Sequence, residues 1–493
     1  MKIYRFLLGL FLLVTGNVLY SQTVEDEREF RGAWLHTVNQ NHFAQRDTDG
    51  NKAYLRSELD KLHRAGINAV IFQVRPCADA FYESAIEPWS SFLTGQSGTS
   101  PDPYWDPLEF MIEECHERGM ELHAWLNPYR SVTVSEAVGS KHLTRTEPDR
   151  FVIFQKRYYF DPGMPENRIL INQIVKDIVT RYDVDGIHMD DYFYPYPVKN
   201  EKFNDAKSYY RYGNGLNLGD WRRQNVNKLI EELSETIHSL KPWVRFGISP
   251  FGIWRNKSSD SRGSNTRGLQ NYDDLYADVT MWAKNGWIDY QAPQLYWPMN
   301  HRVAPYSVLA PWWSENAYDR HVYLGQDVEK SMDFNELSTK IEYSRRLPNI
   351  HGNIWWPSVS VTKNYKNVAD SLEANHQAYQ VLPPSYPWLD DNNPSAVKVP
   401  YLSIAKGILY WDYDYDAFDD TCSSPAGVVI YKQDHRRNKS TIDNNDVLAI
   451  IRGERTSWII PDSIERDTEL YVRAFDRINR ESESSNRVVY RGK

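Results

Sequence analysis

The feature that most constrains the fold is a regular alternation of strand-like and helix-like segments over most of the chain. The first strand-like segment is followed by Leu55, Leu59 and Leu62, which recur at helical spacing. Eight strands that alternate with helices are what a closed parallel barrel requires. We therefore predict a (β/α)8 TIM barrel over residues 28–382. The eight strand-like segments are 30–38, 68–76, 121–130, 185–195, 245–254, 289–297, 321–326 and 351–358.

The composition and the pattern of the sequence change after residue 382. Residues 383–396, PPSYPWLDDNNPSA, are rich in Pro, Asp and Asn, which is typical of a linker. Residues 397–493 contain short β-rich runs such as ILYWDYD and ELYVRAFDR, with no helical segments between them. This pattern predicts an all-β sandwich as a second domain.

The N-terminal residues 1–21 have the layout of a cleaved secretory signal. Lys2 and Arg5 precede the apolar run FLLGLFLLV, and small and polar residues follow it. The apolar run is too short to span a bilayer, and no later segment approaches the necessary length. We expect an exported protein, periplasmic or extracellular after signal cleavage, with no transmembrane segment.

Composition excludes several classes of function. The formal net charge is −9 at pH 7, whereas a nucleic-acid-binding protein needs a basic face. Cys77, Cys115 and Cys422 are too few and too widely spaced for a disulfide framework or a metal knuckle. The chain is rich in tyrosine (33) and tryptophan (17), which suits either core packing or stacking against sugar rings.

The stretch DGIHMDDYFYP, residues 185–195, shows how the barrel strands present their side chains. Ile187 and Met189 share one face of the strand and must contact the helices, so His188 and Asp190 point inward. A ring of inward polar groups is costly unless the groups bind one another or a ligand. Because barrel active sites lie at the C-terminal ends of the strands, the ring predicts a binding site there. The same test places Trp34, His36, Gln73, Arg75, His123, Trp125, Asn127, Ser249, Gln294 and Tyr296 inside.

Acidic residues among aromatic loops favour glycoside hydrolysis, which uses two carboxyl groups, one to protonate the leaving oxygen and one as nucleophile or base. Asp190 and Asp191 are adjacent on a strand and therefore point in opposite directions, so they are not expected to face each other as the acid pair. We expect one of them to face the substrate and a loop carboxylate to complete the pair. Glu87 in AIEPWS is the first choice.

Two other classes of function stay open. His36, His123, His188 and Asp190 would be the ligands of a metal-dependent hydrolase, although no HxH or HExxH pair supports a metal site. A glycan-binding protein that has lost catalysis would keep the same ring. No G-x-S-x-G elbow supports a nucleophilic serine. We predict neither a metal nor another cofactor, and a polysaccharide or oligosaccharide as the partner.

The motifs RGAWLHTV, FQVRPCADAFYESAIEPWS, HAWLNPYR, DVDGIHMDDYFYPYP, FGISPFGIWRN and WIDYQAPQLYW resemble, in this order, the bacterial glycosyl hydrolase-like 10 family. The resemblance spans about residues 28–390 and implies a (β/α)8 domain acting on glycans, with bacterial cell-wall polysaccharide as the expected substrate. The tail, through YVRAFDRINRESESS, resembles a fibronectin type III domain, which implies a spacer or docking module. Removing such a module is expected to leave activity on soluble oligosaccharides intact.

Strand phase, loop aromatics and the resemblance together define the predicted site. Its catalytic residues are Asp190, Asp191 and Glu87. Its substrate-binding residues are Trp34, His36, Gln73, Arg75, Asp79, Trp89, His123, Asn127, Tyr129, Arg130, His188, Tyr192, Trp254, Arg255, Asn256, Gln294, Tyr296 and Trp297.

Overall fold

The structure, a computed structural model, describes residues 28–390, 397–413, 421–433 and 446–492. The predicted secretory signal at 1–21 and the last part of the predicted linker, 391–396, lie outside the described residues. No helix within the described ranges is long and apolar enough to cross a membrane.

Eight parallel strands close into a barrel, which confirms the predicted fold. Hydrogen-bonded neighbours around the barrel follow the order β1-β11-β10-β9-β8-β7-β3-β2, and β4, β5 and β6 form a small antiparallel sheet beside it. The strands of this region are β1 (Phe30–Leu35), β2 (Ala69–Arg75), β3 (Glu121–Leu126), β4 (Arg130–Thr133), β5 (Phe151–Phe154), β6 (Arg157–Phe160), β7 (Gly186–Met189), β8 (Arg245–Ile248), β9 (Tyr290–Gln291), β10 (His321–Asp327) and β11 (Ile350–Trp356).

Helices surround the barrel, and several short ones lie in the loops at its ends. The helices are α1 (Thr48–Arg64), α2 (Ser91–Thr94), α3 (Pro107–Glu117), α4 (Leu143–Thr146), α5 (Pro165–Arg181), α6 (Ala206–Tyr212), α7 (Leu218–Leu240), α8 (Asn271–Asp274), α9 (Val279–Lys284), α10 (Tyr306–Glu315), α11 (Val328–Asp333), α12 (Leu337–Arg345), α13 (Ser358–Thr362) and α14 (Val368–Ser371).

Strand β9 is much shorter than the predicted segment 289–297. Pro293 follows it closely and has no backbone N–H to donate to a neighbouring strand, so the ladder ends early. Pairing resumes only as single bridges from Gln294 to Phe251 and to Gly325. The loop after β9 is thus tied to the ends of β8 and β10, which positions Gln294 at the C-terminal end of the barrel.

The two faces of the barrel strands have separate apolar cores, as the alternation predicts. Ile187 and Met189 belong to the core between the strands and the helices. Phe30, Tyr290 and Tyr323 belong to the core inside the barrel, where the rings of Phe30 and Tyr323 stack with centroids 4.1 Å apart. The inward positions near the strand C-termini are therefore free to carry polar groups above a packed floor.

The C-terminal region is an all-β sandwich, as predicted. An antiparallel sheet in the order β12-β13-β16 and another in the order β15-β14-β17-β18 share one apolar core that includes Leu402, Trp411, Ile430 and Val472. The fibronectin type III resemblance and the domain boundaries stay predictions. The strands are β12 (Tyr401–Ala405), β13 (Ile408–Asp412), β14 (Pro425–Gln433), β15 (Val447–Arg452), β16 (Ser457–Ile459), β17 (Thr468–Asp476) and β18 (Val488–Tyr490).

The described part of the predicted linker packs against the N-terminal end of the barrel. Tyr386 is fully buried, and its hydroxyl lies 2.6 Å from that of Tyr323 inside the barrel. Trp388 donates from its indole Nε1 to Asp289 Oδ1 at 2.8 Å. These contacts hold Tyr386 and Trp388 of the predicted linker against the barrel floor.

The sandwich also inserts polar side chains into the barrel floor. Glu121, at the start of β3, accepts hydrogen bonds on Oε1 from Arg452 Nη2 at 3.1 Å and Asn479 Nδ2 at 2.9 Å, both in the sandwich. Arg245 of β8 donates to the same oxygen at 3.1 Å. All four side chains are buried. The sandwich therefore neutralises a charge inside the barrel, and its role as a spacer or docking module stays a prediction.

Candidate functional site

A cavity of about 480 Å³ opens at the C-terminal ends of the barrel strands. Its lining contains many of the predicted site residues, contributed by the ends of several different strands, which is the usual construction of an active site in this fold. The lining residues are Trp34, His36, Val38, Asn39, Gln40, Gln73, Trp125, Arg130, Asp190, Tyr192, Ser249, Gln294, Tyr296 and Trp356.

Tryptophan and tyrosine rings contribute five of the fourteen residues that line the cavity. The rings of Trp34 and Tyr296 meet edge to face at 6.5 Å, and those of Trp125 and Trp356 do so at 6.2 Å. Edge-to-face contacts hold the rings at steep angles to one another, so several of them present a face or an edge to the cavity. Such walls suit a ligand that has both apolar faces and polar edges, as a sugar ring has.

Asp190 is the carboxylic acid of this lining; among the described residues, no other acid is part of it. It follows directly after β7 and is almost fully buried. Burial first, and then the charge of Asp191, raise the pKa of Asp190 to about 7, against the opposing influence of Arg130. The side chain therefore keeps a proton close to neutral pH, as a general acid must.

Asp191 turns away from the cavity, in agreement with the predicted alternation. It accepts a hydrogen bond from the Tyr196 hydroxyl, and the Gln294 side chain also favours its charged form. Burial raises the pKa of Asp191 to about 6 despite these contacts. The two neighbouring carboxyl groups thus share one proton between them near neutrality, with Asp190 as its holder on the cavity side.

Glu87 does not reach the cavity, which corrects our expectation that it is the partner acid. Its side chain is fully buried and forms a two-pronged ion pair with Arg75, from Nε to Oε2 and from Nη2 to Oε1, each at 2.6 Å. Arg75 also donates to the backbone carbonyls of Asn127 and Pro128. The pair fastens the loop after β2 to the loop after β3, so its role is structural.

Replacing Glu87 with glutamine is expected to act on stability. The substitution leaves the buried guanidinium of Arg75 without its counter-ion, which typically costs about 3–5 kcal/mol of unfolding free energy. Urea denaturation measures this difference. The matched control is Glu83→Gln, because Glu83 forms a loose, exposed ion pair with Arg181 at 3.4 Å, where a loss of under about 1 kcal/mol is expected. Equal stability of the two variants would contradict this role for Glu87.

Gln73 organises the cavity from below rather than offering a free amide. Its Oε1 accepts hydrogen bonds from the backbone N–H groups of Thr37 and Val38, both at 2.9 Å. Its Nε2 donates to Asn127 Oδ1 at 3.1 Å. Gln73 therefore positions the loop after β1, including the cavity residues Val38 to Gln40, and Asn127 supports it without lining the cavity.

The predicted ligands His188 and His123 lie below the cavity in a chain of hydrogen bonds. Trp34 donates from Nε1 to His188 Nε2 at 3.1 Å, and Tyr290 OH lies 2.9 Å from Nδ1 of each histidine. His123 Nε2 in turn contacts Glu121 Oε2 at 3.1 Å. His123 is thus part of the barrel floor, which corrects the expectation that it binds substrate. Burial lowers the pKa of His188 well below its usual value, so that ring is neutral.

His36 is the histidine that does reach the cavity wall. Its ring packs against Trp356 with centroids 4.9 Å apart, and it is hydrogen-bonded to Gln40. Burial, and then the nearby His42, lower the pKa of His36 to about 4, so the imidazole is neutral at physiological pH. Across the described ranges, no three His, Cys, Asp or Glu side chains are arranged to hold a metal ion. The metal-dependent alternative therefore lacks a donor set there.

Several predicted binding residues have structural roles outside the cavity. Asp79 accepts a hydrogen bond from the backbone N–H of Cys77 at 2.9 Å, and its burial raises its pKa to about 7. Trp89 packs edge to face on Tyr104, and Tyr129 is fully buried. These residues hold the loops after β2 and β3, and none of them lines the cavity.

The loop after β8 also departs from the prediction. Trp254 is buried and stacks on Trp312 at 5.7 Å. Arg255 is engaged by two acidic side chains, Asp260 at 2.9 Å and Asp273 at 2.8 Å. Asn256 Nδ2 donates to the backbone carbonyl of Gly268 at 2.8 Å, and Trp297 contacts Phe251 beside the cavity. The first three stabilise the loop instead of facing a ligand.

Some cavity residues were not in the predicted site. Trp125 and Ser249 were assigned to the interior by strand phase but were not included in the binding set. Trp356 ends β11 immediately before Pro357 and was not part of the predicted binding set. Asn39 and Gln40 lie in an irregular loop, so only the three-dimensional contacts of Gln73 place them in the cavity.

Both the sequence and the fold of the chain are similar to those of known proteins. Residues 29–339 match the family described as Glycosyl hydrolase-like 10. The chain is 36% identical to glycosyl hydrolase YngK of Bacillus subtilis (strain 168), with 99% of each chain covered. It is 38% identical to glycosyl hydrolase DigH of Escherichia coli (strain K12), over 67% of this chain and 83% of the relative.

A comparison of structures found the glycoside hydrolase domain of PgaB (BpsB) from Bordetella bronchiseptica. The match has a TM-score of 0.48 and 10% sequence identity, and it covers 70% of this chain and 98% of that chain. Similarity at this level is too weak to add to the sequence relationship.

Proposed function

Because the chain belongs to the glycosyl hydrolase-like 10 family, we propose that it is an active glycoside hydrolase that cleaves glycosidic bonds in a polysaccharide. The observation that carries the proposal is Asp190, a carboxylic acid with a raised pKa that lines an aromatic-walled cavity at the C-terminal end of the barrel. A proton donor beside stacking surfaces is what protonation of a glycosidic oxygen requires.

In the proposed reaction, Asp190 donates its proton to the glycosidic oxygen as the bond from that oxygen to the anomeric carbon breaks. Positive charge develops on the sugar ring in the transition state. The carboxylate of Asp191, held by Tyr196, supplies negative charge beside Asp190 and favours that charge distribution. Water adds its hydroxyl group to the anomeric carbon, and its remaining proton restores the neutral carboxyl group of Asp190.

We further propose bacterial cell-wall glycan, the polysaccharide of peptidoglycan, as the substrate. Arg130 supports this choice: its guanidinium lines the cavity and lies 5.4 Å from the centre of the Tyr192 ring. A guanidinium recognises carboxylate groups well, and cell-wall glycan carries them together with N-acetyl groups. Export agrees with this substrate, and the signal-like residues 1–21 support export.

A second candidate function is glycan binding without catalysis. The observation that favours it is that Asp190 has no second carboxylic acid facing it across the cavity among the described lining residues. Hydrolases of the common two-carboxylate type place the second group about 5–10 Å from the first. A binding protein would need the aromatic walls but not a proton donor.

The test is incubation of the purified full chain with peptidoglycan glycan strands and with a panel of other polysaccharides, followed by measurement of new reducing ends. We expect reducing ends from the glycan strands, formed about 10²–10⁴-fold more slowly by the Asp190→Asn variant. Saturable binding without turnover by the wild type would establish the binding-only function. Turnover of another polysaccharide alone would overturn the choice of substrate.

The pH dependence of activity is expected to reveal the carboxyl pair. Activity should fall as pH rises through about 7, because Asp190 loses the proton it must donate, and also as pH falls through about 6, because Asp191 becomes neutral. Replacing Asp191 with asparagine removes the negative charge that helps to raise the pKa of Asp190. The kcat/KM of this variant should therefore fall at a lower pH than that of the wild type on the alkaline side of the profile. If the alkaline decrease occurs at the same pH in both proteins, the two carboxyl groups are not coupled.

A further inference from the structure

We propose a second substrate-binding surface beside the cavity, a row of aromatic side chains that takes the continuing sugar chain of a polymer. The row, called here the aromatic track, consists of Tyr192, Tyr196, Phe251, Trp297 and His301. The inference rests on the proposed function and deepens it, because it assigns the substrate to long glycan chains.

The rings of the track contact one another in sequence, starting at the cavity wall. Tyr192, which lines the cavity, stacks on Tyr196 with centroids 5.6 Å apart. Tyr196 meets Phe251 edge to face at 6.0 Å, and Phe251 meets Trp297 in the same way at 5.4 Å. His301 continues the row, with its ring 6.4 Å from Trp297 and inclined by 30°. The track thus joins three loops into one continuous surface.

The rings of the track are not completely covered by the fold, although Phe251 and Trp297 also pack against the core. Each member of the track is partly exposed to solvent. Phe193 and Tyr194 lie in the same loop as Tyr192 and Tyr196, yet both are almost completely buried in the core. The loop therefore separates its aromatic residues into two sets, one that anchors it and one that faces outward. A connected row of outward-facing aromatic rings marks a binding surface more often than an isolated exposed ring does.

The track is also held in place before any ligand arrives. The Tyr196 hydroxyl is bound by Asp191, and the backbone of Phe251 is paired with that of Gln294. Trp297 lies directly over Gly252, where a Cβ atom would come within 2.6 Å of the indole ring. A fixed surface loses little conformational freedom when it binds a chain, which favours affinity.

Continuity with the cavity identifies the occupant. Tyr192 belongs both to the cavity wall and to the track, so a ligand that fills the cavity and extends past Tyr192 meets Tyr196 next. Sugar rings present apolar faces that stack on aromatic rings, and the rest of the chain remains in solvent. A chain long enough to occupy both the cavity and the track therefore makes more aromatic contacts than a short one.

The experiment compares Trp297→Ala with the wild type on a series of peptidoglycan glycan oligosaccharides of increasing length. Loss of one stacking surface is expected to raise KM about two- to tenfold for long chains, and the loss should grow with chain length. Trp297→Phe keeps a ring at this position and is expected to recover most of the affinity. The matched control is Phe334→Ala, an exposed aromatic position outside the track and the cavity, with unchanged kinetics.

The outcomes separate this inference from the proposed function. A loss in Trp297→Ala that is the same for short and long chains, or no loss at all, would overturn the track. If the wild type hydrolyses no glycan, the same length series is measured by calorimetric binding. Length-dependent affinity that requires Trp297 would then support the track while the hydrolase assignment fails. Should Trp297→Ala fold poorly, Phe251→Leu provides the same comparison on the neighbouring ring.

Discussion

Replacing Asp190 with asparagine is expected to lower kcat by about 10²–10⁴-fold while saturable glycan binding persists. The amide keeps the shape of the carboxyl group but has no proton to transfer to the glycosidic oxygen. The aromatic walls that hold the sugar are unchanged. Initial rates of reducing-end formation give kcat, and calorimetry with the same glycan gives the affinity.

The same substitution is expected to stabilise the protein at alkaline pH. The pKa of Asp190 is raised in the folded state. The protonated side chain therefore contributes its full stabilisation only below the pKa that Asp190 has in the unfolded chain, and this contribution is lost as pH rises through about 7. Asparagine never becomes charged and avoids that loss. Thermal unfolding should therefore show a higher Tm than the wild type above about pH 7, with a smaller difference near pH 4.

Asp161→Asn is the control for the measurement of kcat. Asp161 is also buried with a pKa raised to about 6, but it accepts hydrogen bonds from Gly163 and Ser208 and does not line the cavity. We expect its kcat to match that of the wild type. Comparable turnover by Asp190→Asn and the wild type would remove Asp190 from the mechanism.

Replacing Arg452 with alanine is expected to destabilise the whole protein by about 3–5 kcal/mol, although Arg452 lies in the C-terminal sandwich. Burial by itself would raise the pKa of Glu121, but Arg245, His123 and Arg452 outweigh it and lower that pKa to about 2. Glu121 is thus charged inside the barrel floor. Removing one of its cations leaves part of a buried charge unpaired, and chemical denaturation followed by tryptophan fluorescence should detect the loss.

Arg455→Ala provides the matched control in the same sandwich. Arg455 reaches Glu117 on α3 at 3.0 Å, but both side chains are about half exposed, so the pair is expected to contribute little. If Arg452→Ala were as stable as Arg455→Ala, the sandwich would be an independent unit after all. Removal of the entire sandwich exposes Glu121 and should therefore reduce the yield of folded barrel, in contrast to the spacer that the sequence suggested.

The barrel could be predicted because its evidence is local. Helical spacing in one segment and alternation in the next depend on only a few consecutive residues, and eight such units have few other ways to fold. The same alternation correctly separated Asp190 from Asp191, since neighbouring strand residues must point to opposite sides. Strand phase shows which side of a strand a residue faces, but it does not show how far along the barrel axis the residue lies. His123 was therefore assigned to the site although it lies in the barrel floor.

Long-range contacts explain the remaining differences. Nothing near Glu87 in the sequence shows that Arg75 will turn toward it and remove both charges from the cavity. Loop residues such as Gln40 have no periodic pattern, and only the clamp by Gln73 places them. Arg452 and Glu121 are separated by more than half of the chain, so their contact is visible only after both domains have folded.

By itself, the sequence determined the eight-stranded barrel, the all-β tail, the inward position of Asp190 and the chemical character of the site, because these depend on short-range periodicity and on residue type. Only the tertiary structure decided which acid faces the cavity, which predicted ligands instead hold loops or the barrel floor, and that the tail takes part in closing the barrel. Those outcomes depend on contacts between charged and polar groups that are distant in the sequence. A buried charged or polar group needs a partner, but the order of residues does not show which residue that partner is.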